Sequence, residues 1–405
     1  MFRILERMKK LSLFTVVLLM ALGSGQAQEQ QKLTAKARKL QKSILTLDTH
    51  TDTPMRLWNE TYKINEDNPQ GCIDFPKMKA GLLDVESFAV FTWQGGRDAA
   101  FVDKAYARGL QTFDKINALE KEYPDVVGIV RTPDDMYRLK REGKLGILPT
   151  VENLALIGTD ISRLQVLYDK GARIFGLVHS YHNDLADSSS DPKAPEHGGL
   201  SEAGKAVVKE LNRIGGIVDV SHASDAVFYD VIKLSTKPII ASHSSVRAVA
   251  DHDRNFTDDM LYALKKNGGV IQICILQKYV KTAPENKEYN AEMKQLNEKL
   301  ASVPKENVAE RNALRAEISA LKEKYPDQLA FIKDYVDHID YVVKKIGIDY
   351  VGIGTDFDGG GGIYDCNNAA QLPGITAELI KRGYSKKEIE KIWGGNFIRV
   401  FRANL

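Results

Sequence analysis

Leu45-Thr-Leu-Asp-Thr-His50-Thr-Asp52-Thr-Pro54 decides how this chain is read. An apolar run carries into His-x-Asp and stops at a proline. Residues two apart on a strand share a face, so His50 and Asp52 aim at one point just past the strand end. Imidazole and carboxylate at that spacing suit a hard or borderline dication. The same spacing also occurs in ordinary strand-end turns, so the rest of the chain must separate the two readings.

Further runs of the same kind follow. Ser87–Trp93, Gly146–Glu152, Arg173–His179, Gly216–His222, Pro238–His243, Gly269–Leu276 and Tyr350–Asp356 are short and apolar. With Ile44–Leu47 they make eight strands, most of them separated by helical patterns such as residues 98–121 and Leu200–Ile214. That alternation argues α/β architecture with a parallel sheet. Eight units argue a closed (β/α)8 TIM-type barrel, with its active site at the C-terminal strand ends. Pro149 counts against a central strand in the third run. Residues 55–80 read as irregular loop. Ser385-Lys-Lys-Glu388 is a capping box opening a late helix, which Gly394-Gly395 is expected to break before a final short helix. Pro284–Asp327 is dense in Glu, Lys, Asn and Ala and divided by Pro304. It reads as a charged helical hairpin inserted after strand seven. A solvated excursion is its plain reading; a lid over the barrel mouth or a homodimer contact is the sharper one.

Composition sets the bounds. The chain has 405 residues, 43% hydrophobic and 27% charged, with a net charge of +2. No basic run suits nucleic acid, so that class is set aside. Arg3, Arg7, Lys9 and Lys10 precede the apolar stretch Leu11–Leu22, and Gly25 and Ala27 are small residues before Gln28. This is the pattern of a signal peptide over residues 1–27, with an uncleaved anchor as the alternative. The expected product is a single domain, 28–405, exported to a periplasmic or secreted location with no stable membrane insertion after cleavage. Cleavage removes four basic groups and one acidic group, so +2 becomes −1. Cys72, Cys274 and Cys366 allow at most one internal disulfide and do not form a zinc-ribbon spacing.

Seven ionisable side chains end these strands: His50, Asp52, Glu152, His179, His222, His243 and Asp356. One strand-end histidine is ordinary. Four of the eight histidines in the chain, with three carboxylates on one barrel face, are too costly to bury without a cation. Two dications repel each other and need a bridging carboxylate and hydroxide. His50 and Asp52 serve one metal, His222 and His243 the other, and Glu152 bridges. Asp356 is then free to carry a proton and His179 to stabilise an oxyanion. Arg254, in the loop after a ligand-bearing strand, could bind a substrate carboxylate or form a surface salt bridge.

At this point the chain resembles the membrane (renal) dipeptidase family of zinc peptidases, a branch of the amidohydrolase-type barrels. The matching motifs are Asp48-Thr-His50-Thr-Asp52, Val151-Glu152-Asn, Leu177-Val-His179, Val218-Asp-Val-Ser-His222, Ser242-His243-Ser-Ser-Val-Arg with Arg254-Asn255, Gly352-Ile-Gly-Thr-Asp356-Phe-Asp-Gly359, and Ile392-Trp-Gly-Gly-Asn396. The resemblance implies two Zn2+ held by His50, Asp52, Glu152 (bridging), His222 and His243. It implies His179 and Arg254 as substrate contacts and Asp356 as the acid/base residue. The implied reaction is hydrolysis of dipeptides with a free C-terminal carboxylate, L,D-dipeptides included. A related amidohydrolase acting on N-acyl amino acids or lactones, and a non-catalytic metal-stabilised binding barrel, are the alternatives. The chain departs from the family at Gln272-Ile-Cys274-Ile in strand seven and in its long insertion, both of which bear on side-chain specificity.

Overall fold

The computed structural model describes residues 31–282, 286–304, 307–325 and 329–405; the expected signal segment lies outside them. Nine strands form one sheet: β1 (Leu47–Thr51), β2 (Val85–Phe91), β3 (Val127–Ile129), β4 (Leu145–Glu152), β5 (Ile174–Gly176), β6 (Ile217–Asp219), β7 (Ile240–Ser244), β8 (Val270–Ile273) and β9 (Val351–Ile353). Eight run in the parallel order β1-β2-β4-β5-β6-β7-β8-β9. The ring is completed just beyond β9. Asp52 N donates to Phe357 O at 2.9 Å and Asp356 N to His50 O at 3.1 Å. The buried Asp48 carboxylate reinforces this seam by accepting from Thr355 N at 2.8 Å and from the Thr355 hydroxyl. The expected (β/α)8 barrel is therefore present.

β3 is a ninth strand that the apolar pattern did not single out; three residues are too few to show a period. It explains Pro149. Val130 N donates to Ile147 O at 2.8 Å, and Arg173 N donates to Pro149 O at 3.2 Å. One edge of β4 thus passes from β3 to β5 at the proline, where no ladder N–H is called for. Pro149 is compatible with a central strand for this reason.

A layer of apolar residues drawn from seven strands (Leu47, Val85, Leu148, Ile174, Ile217, Ile240 and Val270) packs with Phe397 and Phe401. A layer fed from all round the ring lies inside it, so the final helix, Asn396–Asn404, stoppers the N-terminal end. Gly394-Gly395 does not break the preceding helix. Lys386–Glu390 runs through a π-helical turn, Lys391–Gly395, straight into Asn396–Asn404. Trp393 Nε1 donates to Thr376 Oγ1 at 2.8 Å, and Asn396 Nδ2 to Ile348 O and Val351 O at 2.7 and 2.8 Å. These tertiary bonds override the glycine signal.

Residues 55–80 are also more regular than expected. A 3-10 turn spans Thr53–Trp58, and a helix spans Phe75–Gly81, capped by Asp74 accepting from Lys77 N at 2.8 Å. The insertion forms the expected hairpin, Lys287–Ser302 and Val308–Lys324, with Leu314 and Leu321 buried. Asn290, Met293 and Asn297 on its first helix share an open groove with Pro192, in the loop after β5. The first helix of the hairpin thus comes near the loop after β5.

Candidate active site

All seven ionisable residues meet at the C-terminal mouth of the barrel. Their chain positions differ from the sequence reading in one respect. His50, Glu152 and His243 lie within strands, whereas His179, His222 and Asp356 lie three residues beyond β5, β6 and β9. His222 and Asp356 take left-handed backbone, with φ of +68° and +62°. Asn153 and Asp358, also at this mouth, do the same, and Leu82 is the one other such non-glycine among the described residues. Strained backbone gathered at one face marks a site held in shape by its surroundings.

Glu152 is the hub. Its Oε1 lies 3.2 Å from His222 Nε2, 3.6 Å from His243 Nε2 and 3.8 Å from His179 Nε2. Its Oε2 lies 3.6 Å from His50 Nε2. His50 Nε2 is also 3.9 Å from both Asp52 Oδ2 and Asp356 Oδ1. These atoms form three overlapping ligand-type groups: His50, Asp52 and Glu152; Glu152, His179 and His222; and His50, His243 and Asp356. Geometry alone thus draws His179 and Asp356 into the donor set. Exposure separates His179, whose side chain is 27% accessible against 1% for His243.

The electrostatics show what the cluster lacks. Burial pushes the Asp52 carboxyl up to about 7, with Asp358 adding to the shift. Glu152 and Asp356 are raised well above the carboxylate range, first by burial and then by Asp52. The imidazoles move the other way: burial takes His50 down to about 3 and His179 to about 4, and His222 and His243 well below their usual value. Every group is driven towards neutrality. Yet the groups do not all satisfy one another: His50 Nε2, Asp52 Oδ1 and His222 Nδ1 are buried with no hydrogen-bond partner, and His222 Nε2 and His243 Nε2, 2.9 Å apart, pair only when one of them carries a proton. Converging nitrogen and carboxylate lone pairs, some orphaned, fit a borderline dication such as zinc.

One histidine is set up for that task by residues the sequence reading passed over. Ser242 Oγ donates to Asp219 Oδ2 at 2.5 Å and lies 2.8 Å from His243 Nδ1. With its own proton on Asp219, Ser242 accepts from Nδ1–H, which leaves His243 Nε2 bare as a ligand. Asp219 Oδ1 also accepts from Ser221 N and Ser242 N, each at 2.9 Å. The available signal was a carboxylate interrupting the apolar run of β6. Asp358 was likewise passed over; it binds Arg56 Nε at 2.8 Å, Cys72 N at 2.9 Å and Thr53 Oγ1 at 2.7 Å, tying the loop after β1 to the loop after β9. Gly359 is needed here, because a Cβ would collide with Asp52 Oδ2 and Asp356 Oδ1.

Arg254 is not the surface ion pair that one reading allowed. It is buried, its Nη2 donates to His243 O at 3.1 Å, and its Nε has no partner. Of the two departures in and just after β8, Gln272 lies against Gly352, while the Cys274 sulfur sits 4.0 Å from Asp356 Oδ2.

A family model for membrane dipeptidases, peptidase family M19, matches residues 34–404. This chain belongs to the membrane dipeptidase family. The family's metallopeptidase chemistry accounts for the donor cluster, and by class the chain is a metallo-dipeptidase. Among relatives of this dipeptidase, the dipeptidase aclJ of Aspergillus oryzae is 30% identical over 351 residues, covering 84% of this chain and 73% of that protein. The dipeptidase verJ of Clonostachys rogersoniana is 35% identical over 295 residues, covering 72% and 63%. The crystal structure of the probable dipeptidase PvdM from Pseudomonas aeruginosa superposes with a TM-score of 0.83 at 32% identity, covering 92% of this chain and 98% of that one. The fold is shared with a Rhodobacter sphaeroides metallo peptidase, crystallised with a phosphinate mimic of L-Ala-D-Ala, at a TM-score of 0.72 and 22% identity over 89% and 99% of the two chains.

Proposed function

We propose that the chain is a binuclear zinc dipeptidase acting on dipeptides with a free C-terminal carboxylate, L,D-dipeptides among them. The observation that carries this reading is Glu152, whose two oxygens face His50 on one side and His222 and His243 on the other. His50 and Asp52 would hold one zinc ion, His222 and His243 the other, with Glu152 common to both. Bound zinc supplies Lewis acidity and brings the ionisation of water towards neutral pH.

The remaining work falls to the protein. Asp356, buried beside His50, is placed to take a proton from the attacking water and hand it to the leaving amine. Burial opposes its charge, so the Asp356 carboxylate is a stronger base for the first half of that transfer, and the acid it becomes serves the second. His179 is half-buried at the open side of the cluster, where its Nε2 can donate to a developing oxyanion. Arg254 offers an unpaired Nε, a natural partner for the substrate carboxylate. The positively charged leader at residues 1–27 supports export, and no helix among the described residues is long and apolar enough to cross a membrane.

The test pairs two substitutions. Glu152→Gln should lose both zinc and hydrolysis. Asp356→Asn should keep its zinc and lose turnover by roughly 10²–10⁴-fold. Full dipeptide hydrolysis by either variant would sink the mechanism, and equal zinc loss in both would make Asp356 a ligand instead. Running dipeptides beside N-acetyl amino acids and lactones separates a peptidase from a related amidohydrolase.

A further inference from the structure

A cleft of about 290 Å³ opens beside the metal cluster, between the Thr53–Trp58 turn, the end of β2 and the Ala99–Glu122 helix. Its walls include Trp58, Phe91 and Phe101, with Met55 and Trp93 at the rim. Trp93 is 73% exposed and Met55 41%. Single exposed apolar side chains are normal, but an aromatic-walled recess edged by two of them is a binding surface. None of the seven clustered residues lines the cleft, but it adjoins them. Phe91 packs its ring 4.8 Å from that of His179, and Pro54, on the cleft wall, is two residues from Asp52.

Position in the ring gives the cleft its meaning. β2 and β7 stand opposite each other in the eight-strand order. The cleft adjoins β2; Arg254 follows β7. A dipeptide anchored by its carboxylate at Arg254, with its peptide bond over the metal cluster, points its N-terminal residue at the cleft. We infer that this cleft is the specificity pocket for the N-terminal side chain, and that it selects a large apolar or aromatic group. This rests on the dipeptidase reading above.

The edge adds a second discrimination. Arg108 and Lys104 line the cleft, and neither has a carboxylate partner among the described residues. Arg108 instead sits over Trp58, its guanidinium carbon 2.9 Å from the ring centroid. Two uncompensated cations disfavour an N-terminal lysine or arginine side chain and tolerate a neutral or acidic tip.

The test compares Phe-Ala, Ala-Ala, Lys-Ala and Ala-Phe as substrates of the zinc-loaded protein. Phe-Ala should exceed Ala-Ala in kcat/KM by at least tenfold, Lys-Ala should fall below Ala-Ala, and Ala-Phe should gain much less. Ala105→Phe, which fills the cleft from the helix side, should bring the Phe-Ala to Ala-Ala ratio close to one. A binding readout runs alongside. Two of the three tryptophans, Trp58 and Trp93, line the cleft, so intrinsic fluorescence in zinc-loaded Asp356→Asn should respond to Phe-Ala at a concentration at least tenfold lower than to Ala-Ala. Hydrolysis without N-terminal preference, or a preference that survives Ala105→Phe, overturns the pocket. Absence of all dipeptide hydrolysis together with tighter Phe-Ala binding that Ala105→Phe abolishes overturns the peptidase reading and leaves the pocket standing.

Discussion

His243 shows how much of this site is settled by a neighbour one residue away. Its free Nε2 depends on Ser242, and Ser242 depends on Asp219. Ser242→Ala removes the acceptor for Nδ1–H without touching any ligand. Zinc affinity should fall by roughly 10–100-fold, measured by chelator competition, with the far-ultraviolet spectrum of the protein unchanged. Unaltered affinity would mean that the ring is held by packing against His50 alone, whose ring centroid is 3.8 Å away. The clustered residues were legible in the sequence because each ends an apolar run with an imidazole or carboxylate. Asp219 and Ser242 were not, because a polar residue inside a strand looks the same whether it orients a ligand or merely bonds its own backbone. Left-handed backbone at His222 and Asp356 was also invisible, since neither residue type demands it.

Among the elements, the helix Ile332–Ile346 carries a second buried histidine with a different task. His338 Nδ1 accepts from Val246 N at 3.0 Å, and its Nε2 lies 2.9 Å from Val280 O. The helix thereby fastens the loop after β7 to the short Gln277–Val280 helix. Only the Nδ1 bond requires the neutral ring, since Nε2–H donates to Val280 O in either form; burial pushes its pKa down to about 4 from 6.5. Between those values the unfolded chain binds the proton and the folded chain does not. The stabilisation is therefore present above about pH 6.5 and lost as pH falls towards 4. His338→Gln should show a loss of unfolding free energy between pH 7 and pH 4.5 smaller than that of the parent by about 2–3 kcal/mol, read from urea titrations at each pH. Parallel pH profiles would assign the acid sensitivity elsewhere. The strands were readable at this scale because they are buried apolar runs. The turn at Lys391–Gly395 was misread because Trp393 and Asn396 act through partners distant in sequence, Thr376, Ile348 and Val351.

For the molecule as a whole, the seven converging ionisable groups are a standing cost when no cation is present. Burial opposes the charged form of every one, and buried charge without compensation is destabilising by several kcal/mol. Removing metal with a chelator should therefore lower Tm, and adding zinc back should restore it, by the mass-action rule for a ligand that binds the folded state. A Tm insensitive to chelation would mean that the cluster is content in its neutral form.

The seam between β1 and the loop after β9 has a further consequence, in time rather than in space. Asp48 and Thr355 are 307 positions apart, so the ring is stitched shut by its first and last strands. A chain emerging from the ribosome carries His50, Asp52 and Glu152 early, on strands that pair in the order β1-β2-β4, but the ring does not close until β9 arrives. A truncation after β8 lacks both the stitch and Asp356. Assembly of the complete site thus waits for β9, and a chain cut before it offers metal an incomplete set of donors.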